Sequence, residues 1–309
     1  MLKKVEDIHI DKGIRLRTRM WLPEKPLAVL QCLHGMMEHS ERYGYFAEWM
    51  ADKGIAVFTH DHRGHGYSAK SDERTGYFAK KDGWIKILND VEILRKKFTA
   101  GFPDIPYILL GHSMGSLIAR DYLKEFGQNL NGLILSGTVH QPRIMLSLGK
   151  FLADISVIFS GERKRSRLLS YLTYEKYSSH FRPKRTEFDW LCSNNEIVDR
   201  YVEDPLCGER PTNSFYRDLL NGAARISTYK ELSAINKDLP ILFISGKDDP
   251  LGNFGKGPEF VVGSYRKHGF NKVDLKLYEN GRHEMLNEKR KEVVYKDIYK
   301  WIMNDVIKK

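Results

Sequence analysis

A series of short apolar runs, each followed by a segment with helical spacing, constrains this chain more than any other feature. The runs are "LAVLQCLHG" from Leu27, "IAVFTHD" from Ile55, "YILLGHS" from Tyr107, "LNGLILSG" from Leu130 and "LPILFISGKDD" from Leu239. Short continuous apolar runs bounded by glycine suit strands buried on both faces. Between them lie amphipathic stretches such as "GWIKILNDVEILRKKFTAGF", with apolar residues at 84, 85, 88, 91 and 94. Strands alternating with helices imply an α/β protein, with a mostly parallel sheet covered by helices on both faces. Two earlier segments differ. "VEDIHI" and "IRLRTRMWL" read as strands, and the second alternates apolar and polar residues as a half-exposed antiparallel strand does. The rhythm stops after Thr138, and residues 139–222 read as helical, basic and aromatic. It resumes at Leu239 and continues through the strand "KVDLKLYEN" to a final helix from Glu292. The expected organisation is therefore a core of residues 1–138 and 223–309, with a helical insertion over 139–222.

Composition narrows the function. With 309 residues, 41% of them hydrophobic, the chain can bury a large core. No apolar stretch reaches the length a membrane helix needs. The start, "MLKKVEDIHIDKG", lacks the apolar segment of a secretory signal. Cys32, Cys192 and Cys207 have no metal-type spacing, so a reduced, cytoplasmic protein is expected, peripheral at a membrane at most. The net charge is +10, and residues 141–190 carry half of it, with ten Lys or Arg against five Asp or Glu. No zinc-finger or RNP-type motif accompanies the cluster "GERKRSR", so nucleic acid is not the expected partner. A solvated face accounts for the cluster, with weak attraction to anionic lipid as the second reading.

The run ending at Ser113 carries the chemistry. In "GHSMG" a serine stands between Gly111 and Gly115, at the carboxyl end of a strand and the start of a helix. Ligand sites of parallel sheets lie beyond those strand ends. Small flanking residues permit the tight turn that lifts a serine hydroxyl above the sheet, and the helix N-terminus favours a developing oxyanion. An ordinary turn would explain the pentapeptide alone. A nucleophilic serine also needs a base, and the base needs an acid, in the order Ser, Asp or Glu, His. "GKDDP" and "GRHE" follow the next two strands, which supplies Asp248 or Asp249 and then His283. Composition does not separate the two aspartates. The loop "LHGMMEHS" after an earlier strand offers the second oxyanion donor, so that the Met36 and Met114 amides would act together. An ordinary strand-to-helix loop, with Ser40 capping the following helix, would account for the same residues.

"HGMMEHSERY" (34–43), "DHRGHGYS" (61–68), "GHSMGS" (111–116), "SGKDDPLG" (245–252) and "GRHEMLNE" (281–288) together resemble the α/β-hydrolases of the monoacylglycerol lipase and lysophospholipase group. The resemblance implies an α/β-hydrolase fold: an eight-stranded sheet with a helical cap inserted after the sixth strand. It assigns the acid to Asp249, the nucleophile to Ser113, the base to His283 and the oxyanion amides to Met36 and Met114. His34, Gly35, Glu38, His39 and His112 are expected to brace the site or touch substrate. "IMLSLGKFLADISVIF" (144–159) has an apolar face that would line an acyl tunnel or touch a membrane, with Leu148 and Phe151 as tunnel residues. Packing on the core would produce the same pattern. The implied activity is cleavage of an acyl ester, a small-molecule substrate, with no metal or organic cofactor.

Three other readings were weighed. His60, Asp61, His62 and His65 have zinc-ligand chemistry, but no later His or Cys cluster completes a site, and a hydrogen-bonded loop is expected. A binding module on the same scaffold would be expected to lose a triad member. A proline-type aminopeptidase would need cap carboxylates to hold a free amine, for which Glu162, Glu187, Asp189 and Glu196 are available.

Overall fold

The structure, a computed structural model, describes residues 1–308 apart from 12, 70–74, 229–231 and 233–234. Its strands are β1 (Leu2–Asp11), β2 (Ile14–Leu22), β3 (Ala28–Leu33), β4 (Ile55–His60), β5 (Tyr107–His112), β6 (Gly132–Ser136), β7 (Ile241–Gly246) and β8 (Val273–Tyr278). They form one sheet in the order β1-β2-β4-β3-β5-β6-β7-β8. β1 and β2 pair antiparallel, β2 pairs antiparallel with β4, and every pairing from β4 to β8 is parallel. β3 to β7 are buried at every position. This explains why those runs show no alternation, whereas β2 does.

The helices are α1 (Gly44–Asp52), α2 (Gly66–Ala69), α3 (Gly83–Thr99), α4 (Met114–Phe126), α5 (Arg143–Ser160), α6 (Arg167–Thr173), α7 (Asn195–Glu203), α8 (Asn213–Ile226), α9 (Lys256–Lys267) and α10 (Lys291–Trp301). One apolar cluster, containing Leu88, Val91, Ile118 and Phe243, lies on one face of the sheet. A second, containing Phe46, Met50, Tyr295 and Ile298, lies on the other. Each fully buried aliphatic or aromatic side chain of this kind contributes about 1.5–3 kcal/mol. Among the described residues, no helix is long and apolar enough to cross a membrane.

Between β6 and β7 the chain forms α5 to α8. Local signals start these helices: Ser166, Asn194 and Thr212 each accept a backbone N–H from the first turn of α6, α7 and α8. α8 runs through residue 222, where the sequence places the return to the core. Its inner face, Phe215, Tyr216 and Leu219, joins the main cluster. Gly222 sits inside this helix because the Trp84 ring of α3 occupies the space a side chain would take: an added Cβ would stand 2.1 Å from Trp84 Cε2. A third cluster, including Tyr174, Trp190, Val198 and Tyr201, packs the rest of the segment together.

Candidate active site

β5 ends at His112 and α4 begins at Met114, so Ser113 forms the whole of the turn. Its backbone has φ 51° and ψ −117°, in the left-handed half of the map that a β-carbon disfavours. The neighbouring glycines allow the approach. A Cβ on Gly111 would stand 2.2 Å from Gly115 O, and one on Gly115 would stand 2.2 Å from Leu33 O. The Ser113 N–H donates to Ser136 O at 2.9 Å, and Ser116 Oγ donates to Ser113 O at 2.6 Å. The turn is therefore held from β6 and from α4.

Asp249 follows β7 and His283 follows β8. Both are buried, and His283 Nδ1 lies 2.8 Å from Asp249 Oδ2. Asp249 Oδ1 accepts the Leu251 N–H at 2.9 Å, which fixes the carboxylate. His283 Nε2 has no hydrogen-bond partner among the described residues. Burial alone would lower the His283 pKa, but the charge and hydrogen bond of Asp249 outweigh it and hold the imidazole above the usual histidine value. His112 has its ring 4.9 Å from that of His283. Burial, and secondarily the His283 charge, pushes His112 down to about 3, so it stays neutral.

The loop after β3 is held by side chains. Gly35 N–H donates to Glu38 Oε1 at 2.5 Å, and Tyr43 OH donates to the same oxygen at 2.9 Å. Gly35 has no room for a side chain, since a Cβ would stand 2.8 Å from that oxygen and 3.2 Å from Ser113 Cβ. Arg42 donates to Glu38 Oε2 at 2.5 Å and to both carboxylate oxygens of Glu284 at 2.7 Å. One guanidinium thus ties this loop to the residue beside His283. His34 Nε2 accepts the His62 N–H at 2.9 Å, so its Nδ1, 2.7 Å from Gly35 O, is the protonated nitrogen. His39 Nε2 lies 2.7 Å from Asp204 Oδ2, and Met37 O accepts Gly208 N–H at 2.9 Å and Tyr201 OH at 3.0 Å. These bonds join the loop to the segment around α7.

A cavity of about 260 Å³ opens over Ser113 and His283, bordered by Gly35, Met36 and Met114. Its other walls are largely aliphatic: Met145, Leu148 and Leu152 from α5, Leu169 and Leu172 from α6, and Leu219 and Leu220 from α8. Trp190 closes one side, its ring 5.1 Å from that of His283.

One alternative and one expectation need correction. Ser40 does not cap a helix; its N–H and Oγ both donate to Asp61 Oδ1. Asp61 collects Arg19 and the Tyr67 N–H as well, so long-range pairing outcompetes the local cap. Phe151 does not border the cavity. It lies on the outer face of α5, 59% exposed, one residue away from the inward Leu152 and so about 100° around the helix from it. Leu148 does border the cavity.

His60, Asp61, His62 and His65 are all buried, and the histidine rings pack together, His34 tilted against His62 at 4.1 Å and His60 edge-on to His62 at 4.6 Å. They do not converge as ligands. Among the described residues, the group whose donor atoms come within 4.8 Å of one another is His39, Asp204 and Cys207. Of the carboxylates in residues 139–222 that could hold an amine, Glu162, Glu187, Asp189 and Glu196 all lie outside the cavity wall. Asp189 accepts the N–H groups of Arg185 and Thr186 instead. Sequence reasoning missed Arg42, Glu284 and Trp190. The signal for the first two was present, as charged residues inside both quoted loops, but their pairing spans 242 positions.

Comparison with known proteins places this geometry. The chain is 28% identical to the monoglyceride lipase of Mus musculus over 95% of its length and 88% of that protein. It is 24% identical to phospholipase YtpA of Bacillus subtilis, over 89% of the chain and 95% of that protein. An abhydrolase-domain protein of Dictyostelium discoideum matches at 26% identity, with this chain spanning 29% of its length. Among solved structures, a thermostable carboxyl esterase from Bacillus coagulans superposes with a TM-score of 0.89 at 28% identity, over 99% of this chain and 100% of that one. The Hydrolase_4 family, described as serine aminopeptidase S33, matches residues 24–290. With its eight-stranded sheet and the serine elbow at the end of β5, the chain belongs to that family and is an α/β-hydrolase of the monoglyceride lipase type.

Proposed function

We propose that the protein is a serine hydrolase that cleaves carboxylic esters of acyl chains, most readily a monoacylglycerol or lysophospholipid. One observation carries the reading: a strained serine and a carboxylate-oriented histidine share one cavity whose remaining walls are mostly aliphatic. The relatives named as a monoglyceride lipase and a phospholipase support it.

His283 Nε2 takes the proton from Ser113 Oγ as the oxygen attacks the ester carbonyl. The Met36 and Met114 amides receive the oxyanion, and the N-terminus of α4 adds its dipole. Asp249 stabilises the imidazolium. His283 then gives the proton to the departing alcohol. Water, deprotonated by the same nitrogen, releases the fatty acid from Ser113. The cap segment, residues 139–222, covers the acyl chain, and its outer apolar side chains Ile144, Phe151, Ile158 and Phe159 rest on the lipid surface that supplies it. An aminopeptidase reading gains no support from the site, because the two carboxylates on the cavity wall, Glu38 and Glu284, are both engaged by Arg42.

Fatty-acid release from 1-monoacylglycerols of increasing chain length, with lysophosphatidylcholine alongside and Ser113→Ala as control, tests the proposal. Release that peaks at one chain length and vanishes in the variant is expected. Release from none of them would overturn it.

A further inference from the structure

The cavity is not uniformly apolar, and the exception carries information about the alcohol half of the substrate. Besides the histidines His112 and His283, the acids and cations on its wall, among the described residues, are Glu38, Glu284 and Lys176. Arg42 neutralises both glutamates. Lys176 has no carboxylate partner among the described residues, and its Nζ lies 5.2 Å from the centre of the Tyr177 ring. Tyr177 and Gln141 both border the same cavity. Tyr177 in turn leads back to the base, its ring 6.2 Å from that of Trp190, which packs on His283. Lys176 and Tyr177 therefore make a polar corner joined through Trp190 to His283, while Leu148, Leu152 and Leu220 form an apolar wall from α5 and α8.

Resting on the ester-hydrolase reading above, we infer that Lys176 selects acyl glycerol esters whose alcohol carries a phosphate. With the carbonyl at Ser113 and the acyl tail among the leucines, the alcohol faces the polar corner. A neutral glycerol leaves the ammonium without a counter-charge. A phosphate supplies one, and a charge-assisted hydrogen bond in a cavity with apolar walls is stronger than the same contact in water. Lysine binds phosphate as a point charge, with no need of the planar fork that arginine offers. The surrounding segment adds to the effect, since residues 141–190 carry ten Lys or Arg against five Asp or Glu and so raise the local concentration of anionic substrate.

The test compares 1-decanoylglycerol with 1-decanoylglycerol 3-phosphate, both below their micellar concentrations. Calorimetric binding to the full-length Ser113→Ala protein, with and without Lys176→Gln, is independent of turnover. Lys176→Gln is expected to lower the preference for the phosphate ester over the neutral one by about tenfold, and Lys176→Arg to restore most of it. The same ratio in kcat/KM, measured with Ser113 intact, should fall in parallel. An unchanged preference in Lys176→Gln, or tighter binding of the neutral ester by the protein with Lys176 intact, overturns the inference. Absence of Ser113-dependent turnover of either ester would instead overturn the ester-hydrolase reading, and the binding ratio would still decide the role of Lys176.

Discussion

Replacing Arg42 by methionine removes the cation that two buried carboxylates share. Glu38 and Glu284 have side chains only 4% exposed, and the guanidinium between them is 11% exposed. It also sits 4.8 Å from the centre of the Tyr201 ring. Methionine keeps much of the apolar stem but leaves two carboxylates facing each other without a counter-charge. Breaking a buried ion pair from one side costs about 3–5 kcal/mol, most of it from the stranded charge. At this chain length that is roughly 5–8 °C of Tm. Catalysis should fall separately, because Glu38 holds the Gly35 N–H next to the proposed Met36 oxyanion donor. The expected signature is a lower kcat with little change in KM. Urea melts, with ester kinetics on the folded variant, decide the matter. A loss below about 1 kcal/mol, the range of exposed pairs, would refute the reasoning.

Four further outcomes are expected. The acid limb of the kcat/KM profile should have its midpoint above 6.5, because protonated His283 cannot accept the serine proton and Asp249 holds its pKa up; in Asp249→Asn the midpoint should fall and kcat should drop by about 10⁴, as read from pH–rate profiles. Gly115→Ala should cost about 2–3 kcal/mol in a denaturant melt, since its Cβ would meet Leu33 O and force β3 away from the elbow. Leu148→Gln should weaken turnover of long acyl chains more than short ones, while Phe151→Gln, on the outer face, should leave that ratio unchanged and weaken binding to vesicles. Chelation should leave activity intact; loss restored by zinc would revive a metal role for the buried histidines.

What the sequence makes legible follows from how local each cause is. α4 runs from Met114 to Phe126 as read, because the serine elbow starts it, Gly127 ends it and its apolar spacing is regular. The strand ends that present Ser113, Asp249 and His283 follow from the same alternation that defines the sheet. Ser40 misled because a serine before a helix is a local capping signal, whereas its partner Asp61 comes from the next strand end. Phe151 misled because an apolar residue on an amphipathic helix does not declare which neighbour it faces; α5 buries Leu146 and Ala153 and leaves Phe151 outside. The Arg42 pairing and the packing of Trp190 on His283 join segments far apart in the chain, and no local pattern announces them. Lys176 lies within a basic segment of the sequence, and only the cavity distinguishes it from its exposed neighbours.

The most direct test of the central claim, that Ser113 is a nucleophile activated by His283 and Asp249, is peptide mass spectrometry after reaction with a fluorophosphonate. The account predicts one adduct, on Ser113, which is absent in Ser113→Ala and forms far more slowly in Asp249→Asn and His283→Ala. No adduct on Ser113, or ester hydrolysis that persists in Ser113→Ala, would contradict it.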